Sequence, residues 1–173
     1  MQKEQDRGKI ALFVVVAALV LALDQLSKSW VRNNAKMEVG WIIELLPEFL
    51  DFVYVKNYGS AFGLLANQTF LLISITITSL VIILLFLRHL YRTTTLSFVS
   101  TGLILAGALG NLIDRLRFGY VTDFIDVHLG NLFHWYTFNI ADTAIVIGIL
   151  TFIYSLYRSG LFSKVYEHRH SKP

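Results

Sequence analysis

Two aspartates, Asp123 and Asp142, are the residues of this chain best placed to do chemistry. Asp123 sits in a polar stretch between two apolar runs, and Asp142 lies about one helical turn inside the last run. Two carboxylates brought close in a partly dry site cannot both ionise, so they share a proton and titrate as a unit. One then acts as base on a water, while the other protonates a peptide carbonyl and later the leaving amine. Such a pair hydrolyses peptide bonds without a metal or a nucleophilic side chain. The chain has no cysteine, which excludes disulfides, thiol nucleophiles and Cys-ligated metals.

Other polar residues keep the aspartates company at the ends of apolar runs: Asp24 and Lys28, Asn57, Asn111 with Asp114 and Arg115, and Asn139. Each also has a plain structural reading. Asp24 and Lys28 stand at i, i+4 in the favourable acid-first order of a helix ion pair. Asn139-x-x-Asp142 has the form of a capping box. Asp114 and Arg115 suit pairing and snorkelling at an interface, and Asp126 a solvated loop acid. His128 and His134 lack ligand spacing, so no metal or other cofactor is expected. Ser27 and Lys28 are adjacent on one helix and point apart, which excludes them as a Ser/Lys dyad; Ser60 is the other serine such a reading could use.

The elements that position these groups belong in a bilayer. The 173 residues are 55% hydrophobic and 16% charged, against about 25% charged in soluble domains. The Lys and Arg punctuate the apolar runs rather than forming a stripe for nucleic acid. Four runs reach the roughly 20 residues that a span needs, at about 10–31, 70–87, 96–113 and 138–157. The first lacks a small-residue cleavage site and is followed by Asp24, Gln25 and Lys28, so it reads as a retained span.

The expected fold is an all-α membrane protein of four transmembrane helices in a single domain, 1–173. The bases Lys3, Arg7, Lys9, Arg88, His89, Arg92, Arg158, Lys164, Arg169 and Lys172 put both termini in the cytoplasm. Trp30, Trp41 and Trp135 then fall at the outer interface. Alternating spans bring every polar cluster above to that outer side, where residues that costly in hydrocarbon share a depth. Phe49–Asn57 and Tyr120–Val127 read as strands of a small β-rich extracytoplasmic platform. Gly102, Ala106 and Gly110 form a small-residue packing stripe.

The stretches LDQLSK (Leu23–Lys28), VKNYGSAFG (Val55–Gly63), GALGNLIDRLRFGYVTDFIDV (Gly107–Val127) and FNIAD (Phe138–Asp142) resemble, in order, the motifs of lipoprotein signal peptidase (signal peptidase II). Tyr58-Gly59-Ser60 stands where many members carry Thr-Gly-Ala. The resemblance implies an aspartic endopeptidase of the bacterial inner membrane with Asp123 and Asp142 catalytic. It implies that Asp24, Lys28, Asn57, Gly59, Asn111, Arg115 and Asn139 line or support the site. It further implies diacylglyceryl prolipoprotein substrates cut just before the lipidated Cys, membrane lipid as surroundings, and the cyclic peptide globomycin as inhibitor. The active site would face the periplasmic side, with Gly59, Gly63, Phe52, Tyr54 and Phe62 able to close the platform over it. A transporter or proton channel is the main rival, but such proteins place their sites at the midplane of repeated halves, and no repeat is visible. A non-enzymatic membrane scaffold is the third reading.

Overall fold

A computed structural model describes residues 2–35, 40–59, 65–87, 94–130 and 132–159. Four helices and four strands follow one another as α1 (Gln2–Ala35), β1 (Ile42–Leu46), β2 (Leu50–Asn57), α2 (Thr69–Leu87), α3 (Thr95–Phe118), β3 (Val121–Leu129), β4 (Phe133–His134) and α4 (Ile140–Arg158). α1, α3 and α4 are long and apolar enough to cross a membrane, and the apolar stretch of α2, Thr69–Leu85, is shorter. The bases Arg88, His89, Arg92, Lys164, Arg169 and Lys172, the closing residues Phe62 and Gly63, and Ser60 of the Ser/Lys reading lie outside the described residues.

Burial runs opposite to that of a water-soluble domain. Leu19, Leu23, Leu26, Leu85, Leu150 and Tyr157 are exposed, while the largest fully buried side chains include Lys28, Asp24, Asp114, Asn139, Thr122 and Asp123. Lys and Asp are almost never fully buried unless paired. The helices turn apolar surface outward, where hydrocarbon solvates it, and keep their charges for one another.

α3 is the central helix, packing most extensively on α4 and then on α1. Small residues permit this. A Cβ at Gly107 would overlap the Ala141 carbonyl of α4, and one at Gly102 would come within 3.0 Å of the Phe13 carbonyl of α1. The Gly102–Ala106–Gly110 stripe therefore seats α3 largely on α1, and the neighbouring Gly107 brings in α4. Hydroxyl pairs join α3 to α4 at the end remote from Asp142: Ser97 to Ser155 at 2.8 Å and Ser100 to Thr151 at 2.9 Å.

α3 runs farther than its apolar stretch predicts, so Asn111 and Asp114 lie within the helix and Arg115 falls in its last turn. The helix stops at Gly119, whose φ of 79° suits glycine, with its N–H bonded to the Arg115 carbonyl. Arg115 and Arg117 in the last turn complement the helix dipole.

The four strands form one antiparallel sheet in the order β1-β2-β3-β4. β2 and β3 match the expected platform strands. β1 and β4 have no sequence signal: IIELL does not alternate, and β4 is two residues long. Across β2 and β3, Asn57 faces Val121 and Val55 faces Asp123, with a bulge between Phe52 and Val55. An edge-to-face contact of Trp30 with Phe52 at 6.3 Å binds the sheet to α1, and a second, of Phe52 with Phe124 at 5.6 Å, joins β2 to β3.

Candidate active site

Side chains alternate across a strand, so Val55 and Asn57 of β2 and Val121 and Asp123 of β3 share one face. All four line a cavity of about 720 Å³. Asn111 and Arg115 of α3 form a second wall, and Asp142 with Thr143 and Ile145–Ile147 of α4 a third. Trp135–Phe138 complete the lining. The cavity thus has mostly apolar walls and a polar focus at the two aspartates.

Amide side chains hold the carboxylates. Asn57 Nδ2 donates to Asp123 Oδ2 at 2.8 Å, across the diagonal of the strand pair. Asn139 Nδ2 donates to Asp123 Oδ1 at 2.7 Å. Asn111 Nδ2 donates to Asp142 Oδ1 at 2.8 Å. The Asn111 carbonyl accepts from Lys28 Nζ at 2.9 Å and from Asn139 Nδ2 at 3.2 Å. Two donors on that oxygen fix the amide so that its NH₂ must face Asp142. Asn139 and Asn111 therefore link the two aspartates through a continuous chain of hydrogen bonds.

Asp142 is also a helix-capping residue, as its spacing predicts. Asn139 Oδ1 accepts from the Asp142 N–H at 3.0 Å, and Asp142 Oδ2 accepts from the Asn139 N–H at 3.3 Å. The capping and cavity roles use different oxygens and coexist. A second acceptor for the start of α4 comes from α1: Asp24 Oδ1 accepts from the Ala141 N–H at 3.0 Å. The first turn of α4 is held from two sides, which sets where Asp142 points.

Beneath the cavity lies a buried quartet of two acids and two bases. Lys28 Nζ stands 2.9 Å from Asp24 and 3.8 Å from Asp114. Arg32 stands 3.3 Å from Asp114 and donates to Thr122 Oγ1 at 2.8 Å. Asp114 Oδ2 accepts from the Thr122 N–H at 2.9 Å. Thr122 precedes Asp123, so the quartet fixes the start of β3 against α1 and α3. The Asp24–Lys28 ion pair is present and forms one edge of this network.

Two expectations are corrected. Asp114 pairs with Arg32 and Lys28 rather than with Arg115, because successive residues on a helix point apart. Arg115 instead donates to the Gly59 carbonyl at 3.0 Å, while the Gly59 N–H donates to Asn57 Oδ1 at 2.8 Å. Asp126 is not a solvated loop acid. It is buried within β3, and His134 Nε2 lies 2.7 Å from its Oδ1. Arg32 and Thr122 escaped sequence reading, since each looks like an ordinary flank residue until the fold assembles the quartet.

Asp123, in the sheet, is a perturbed acid. Burial, and next the nearby charge of Asp142, push its carboxyl up from 3.8 to about 7; the bonds from Asn57 and Asn139 oppose this. A carboxyl that exchanges its proton near neutrality suits acid-base work. No metal ligand set lies in the cavity among the described residues, since its only carboxylates are Asp123 and Asp142 and it has no histidine.

Known proteins resemble this chain in sequence and in fold. The family model for signal peptidase (SPase) II matches residues 16–158. The lipoprotein signal peptidase of Moorella thermoacetica is 44% identical over 144 residues, covering 83% of this chain and 91% of that protein. That of Syntrophotalea carbinolica is 40% identical over 158 residues, covering 89% and 96%. A solved structure described as a bacterial membrane enzyme obtained by the in meso method superposes with a TM-score of 0.76 at 31% identity, covering 95% of this chain and 94% of that one. A second, described in the same way, gives 0.72 at 34% identity, with 85% and 93% covered. The chain belongs to the signal peptidase II family, and it is a hydrolase of the aspartic peptidase class.

Proposed function

We propose that this enzyme removes the signal peptide from diacylglyceryl-modified prolipoproteins, cutting just before the lipidated Cys, with Asp123 and Asp142 as its catalytic pair. The observation that carries the reading is that both carboxylates line one cavity and are joined through Asn139 and Asn111. The pair holds one proton between them. One member draws a proton from a water that attacks the scissile carbonyl. The other protonates the carbonyl oxygen and then the leaving nitrogen. A singly protonated pair carries one negative charge, and Arg115 on the cavity wall balances it.

Asn57, Asn111 and Asn139 are positioning residues that touch the carboxylates directly. Asp24 and Lys28 act through them, by seating α4 and orienting Asn111. Gly59 ties Arg115 and Asn57 to one strand end.

In this reading the whole chain is one integral membrane domain of the bacterial cytoplasmic membrane, with four spans and cytoplasmic termini. The sheet lies on the extracytoplasmic surface. The dyad then sits at the outer interface, the level at which a lipidated Cys is held by its acyl chains. The apolar walls from Ile145–Ile147, Trp135 and Phe138 suit a signal helix and acyl chains. Globomycin is expected to occupy the same cavity and to compete with substrate.

The test is cleavage by the purified protein in lipid, with product masses read by mass spectrometry. The expected result is one cut before the lipidated Cys, no cut of the unlipidated precursor, and block by globomycin. Equal cleavage of the unlipidated precursor, or a cut elsewhere, contradicts the substrate assignment.

A further inference from the structure

On the face of β3 opposite Asp123, a second group of titratable side chains has no part in the hydrolytic site. Asp51 of β2 and Asp126 of β3 are direct cross-strand partners. Two carboxylates in that relation repel. Among the described residues, neither forms an ion pair with a Lys or Arg; the basic side chains beside them are the imidazoles of His128 and His134. His128, two residues along the same face, places Nδ1 3.7 Å from Asp126 Oδ2 and Nε2 3.9 Å from Asp51 Oδ2. One ligand atom from each of the three lies within 4.8 Å of the other two. Two atoms of the group, Asp51 Oδ1 and His128 Nδ1, are wholly buried with no hydrogen-bond partner among the described residues. Buried polar atoms left unmet are costly to the fold.

We propose that Asp51, Asp126 and His128 form a binding site for a divalent transition-metal cation of the Zn²⁺ type, clasping β2 to β3 behind the catalytic face. Two carboxylates and an imidazole suit such an ion, which binds O and N ligands at about 2.0–2.2 Å. In a tetrahedral site those bond lengths set ligand atoms roughly 3.3–3.6 Å apart. With one ligand atom from each residue the three lie within 4.8 Å of one another, so the group must close by roughly an ångström to take the ion. A dication neutralises the facing carboxylates and uses the orphaned atoms. His134 stacks on His128 with ring centroids 5.8 Å apart and touches Asp126 Oδ1, the place of an outer partner that orients a ligating carboxylate. The sequence had set His128 and His134 aside because two histidines lack ligand spacing. The carboxylates that complete the set come from two strands, and pairing brings them together.

The test is zinc binding by untagged, full-length, chelator-stripped protein in detergent, measured by equilibrium dialysis and metal analysis. The expected result is about one Zn²⁺ per chain, with a rise in Tm on adding Zn²⁺. The D51N/H128A variant should lose both. H134A, changing a side chain that is 66% exposed, should keep the fold and weaken binding by roughly 10–100-fold. H168A/H170A, which removes the histidines of the tail, should bind as the wild type does. Absence of stoichiometric zinc overturns the proposal. So does zinc retained at full affinity by D51N/H128A and H134A, or zinc lost in the tail variant.

Discussion

Stability should depend on pH through Asp123, and Asp123→Asn should expose that dependence. The folded protein holds the Asp123 proton to about pH 7, against 3.8 for a free carboxyl. The native state therefore binds more protons than the unfolded chain between these values, and stability falls as pH rises through that window. At ~1.36 kcal/mol per tenfold, the span corresponds to about 4 kcal/mol. Asparagine at 123 removes this term but puts an NH₂ against the NH₂ of either Asn57 or Asn139, a cost of about 1–3 kcal/mol. The variant should then be less stable than wild type at pH 4.5 and more stable at pH 8.5. For a chain of this size 1 kcal/mol shifts Tm by roughly 2–4 °C. Between pH 4.5 and 8.5, which takes in about 3 of those 4 kcal/mol, the difference in Tm between variant and wild type should swing by roughly 6–12 °C. Thermal unfolding in detergent followed by near-ultraviolet circular dichroism measures it. A difference that stays constant from pH 4.5 to 8.5 would refute the claim that the fold raises the affinity of Asp123 for its proton.

Two further outcomes follow from the same network. The positive charge of Lys28 lowers the proton affinity of Asp123, so Lys28→Met should move the alkaline limb of the kcat/KM profile for cleavage to higher pH. It should also destabilise the protein by about 3–5 kcal/mol, because Asp24 loses its ion-pair partner in a buried site; kinetics against pH and thermal unfolding read the two effects separately. Asn57→Ala removes one donor to Asp123 and the acceptor for the Gly59 N–H. A hydrogen bond to a charged group contributes about 1.5–3 kcal/mol, so a fall in kcat/KM of roughly 10–150-fold is expected, with the alkaline limb again moved up. Unchanged rate and profile in this variant would remove Asn57 from the positioning set.

Much of this arrangement was legible in the sequence because a bilayer amplifies the signal. Asn111, Asn139 and Asp142 stand out in apolar runs where a polar side chain is costly, and their shared depth follows from alternating helices. The aromatic and β-branched run Phe49–Asn57 marked β2 correctly. Other parts depend on tertiary contacts that spacing does not encode. Asp24 capping the Ala141 N–H joins residues 117 positions apart. Arg32 and Thr122 gain meaning only when α1 meets β3. Asp126 looked solvated because its partner His134 sits on β4, a strand too short to have a pattern. The double use of Asp142 shows why a capping spacing and a cavity role need not compete: a carboxylate has two oxygens.

The central claim is that Asp123 and Asp142 form one proton-sharing pair, and single-turnover cleavage of a diacylglyceryl prolipoprotein by wild type, Asp123→Asn, Asp142→Asn and the double variant tests it most directly. Residues acting as a unit are strongly non-additive. Each single variant should lose at least about 10³-fold in rate, and the double variant little more. Near-normal turnover by either single variant, or losses that multiply in the double variant, would contradict the account.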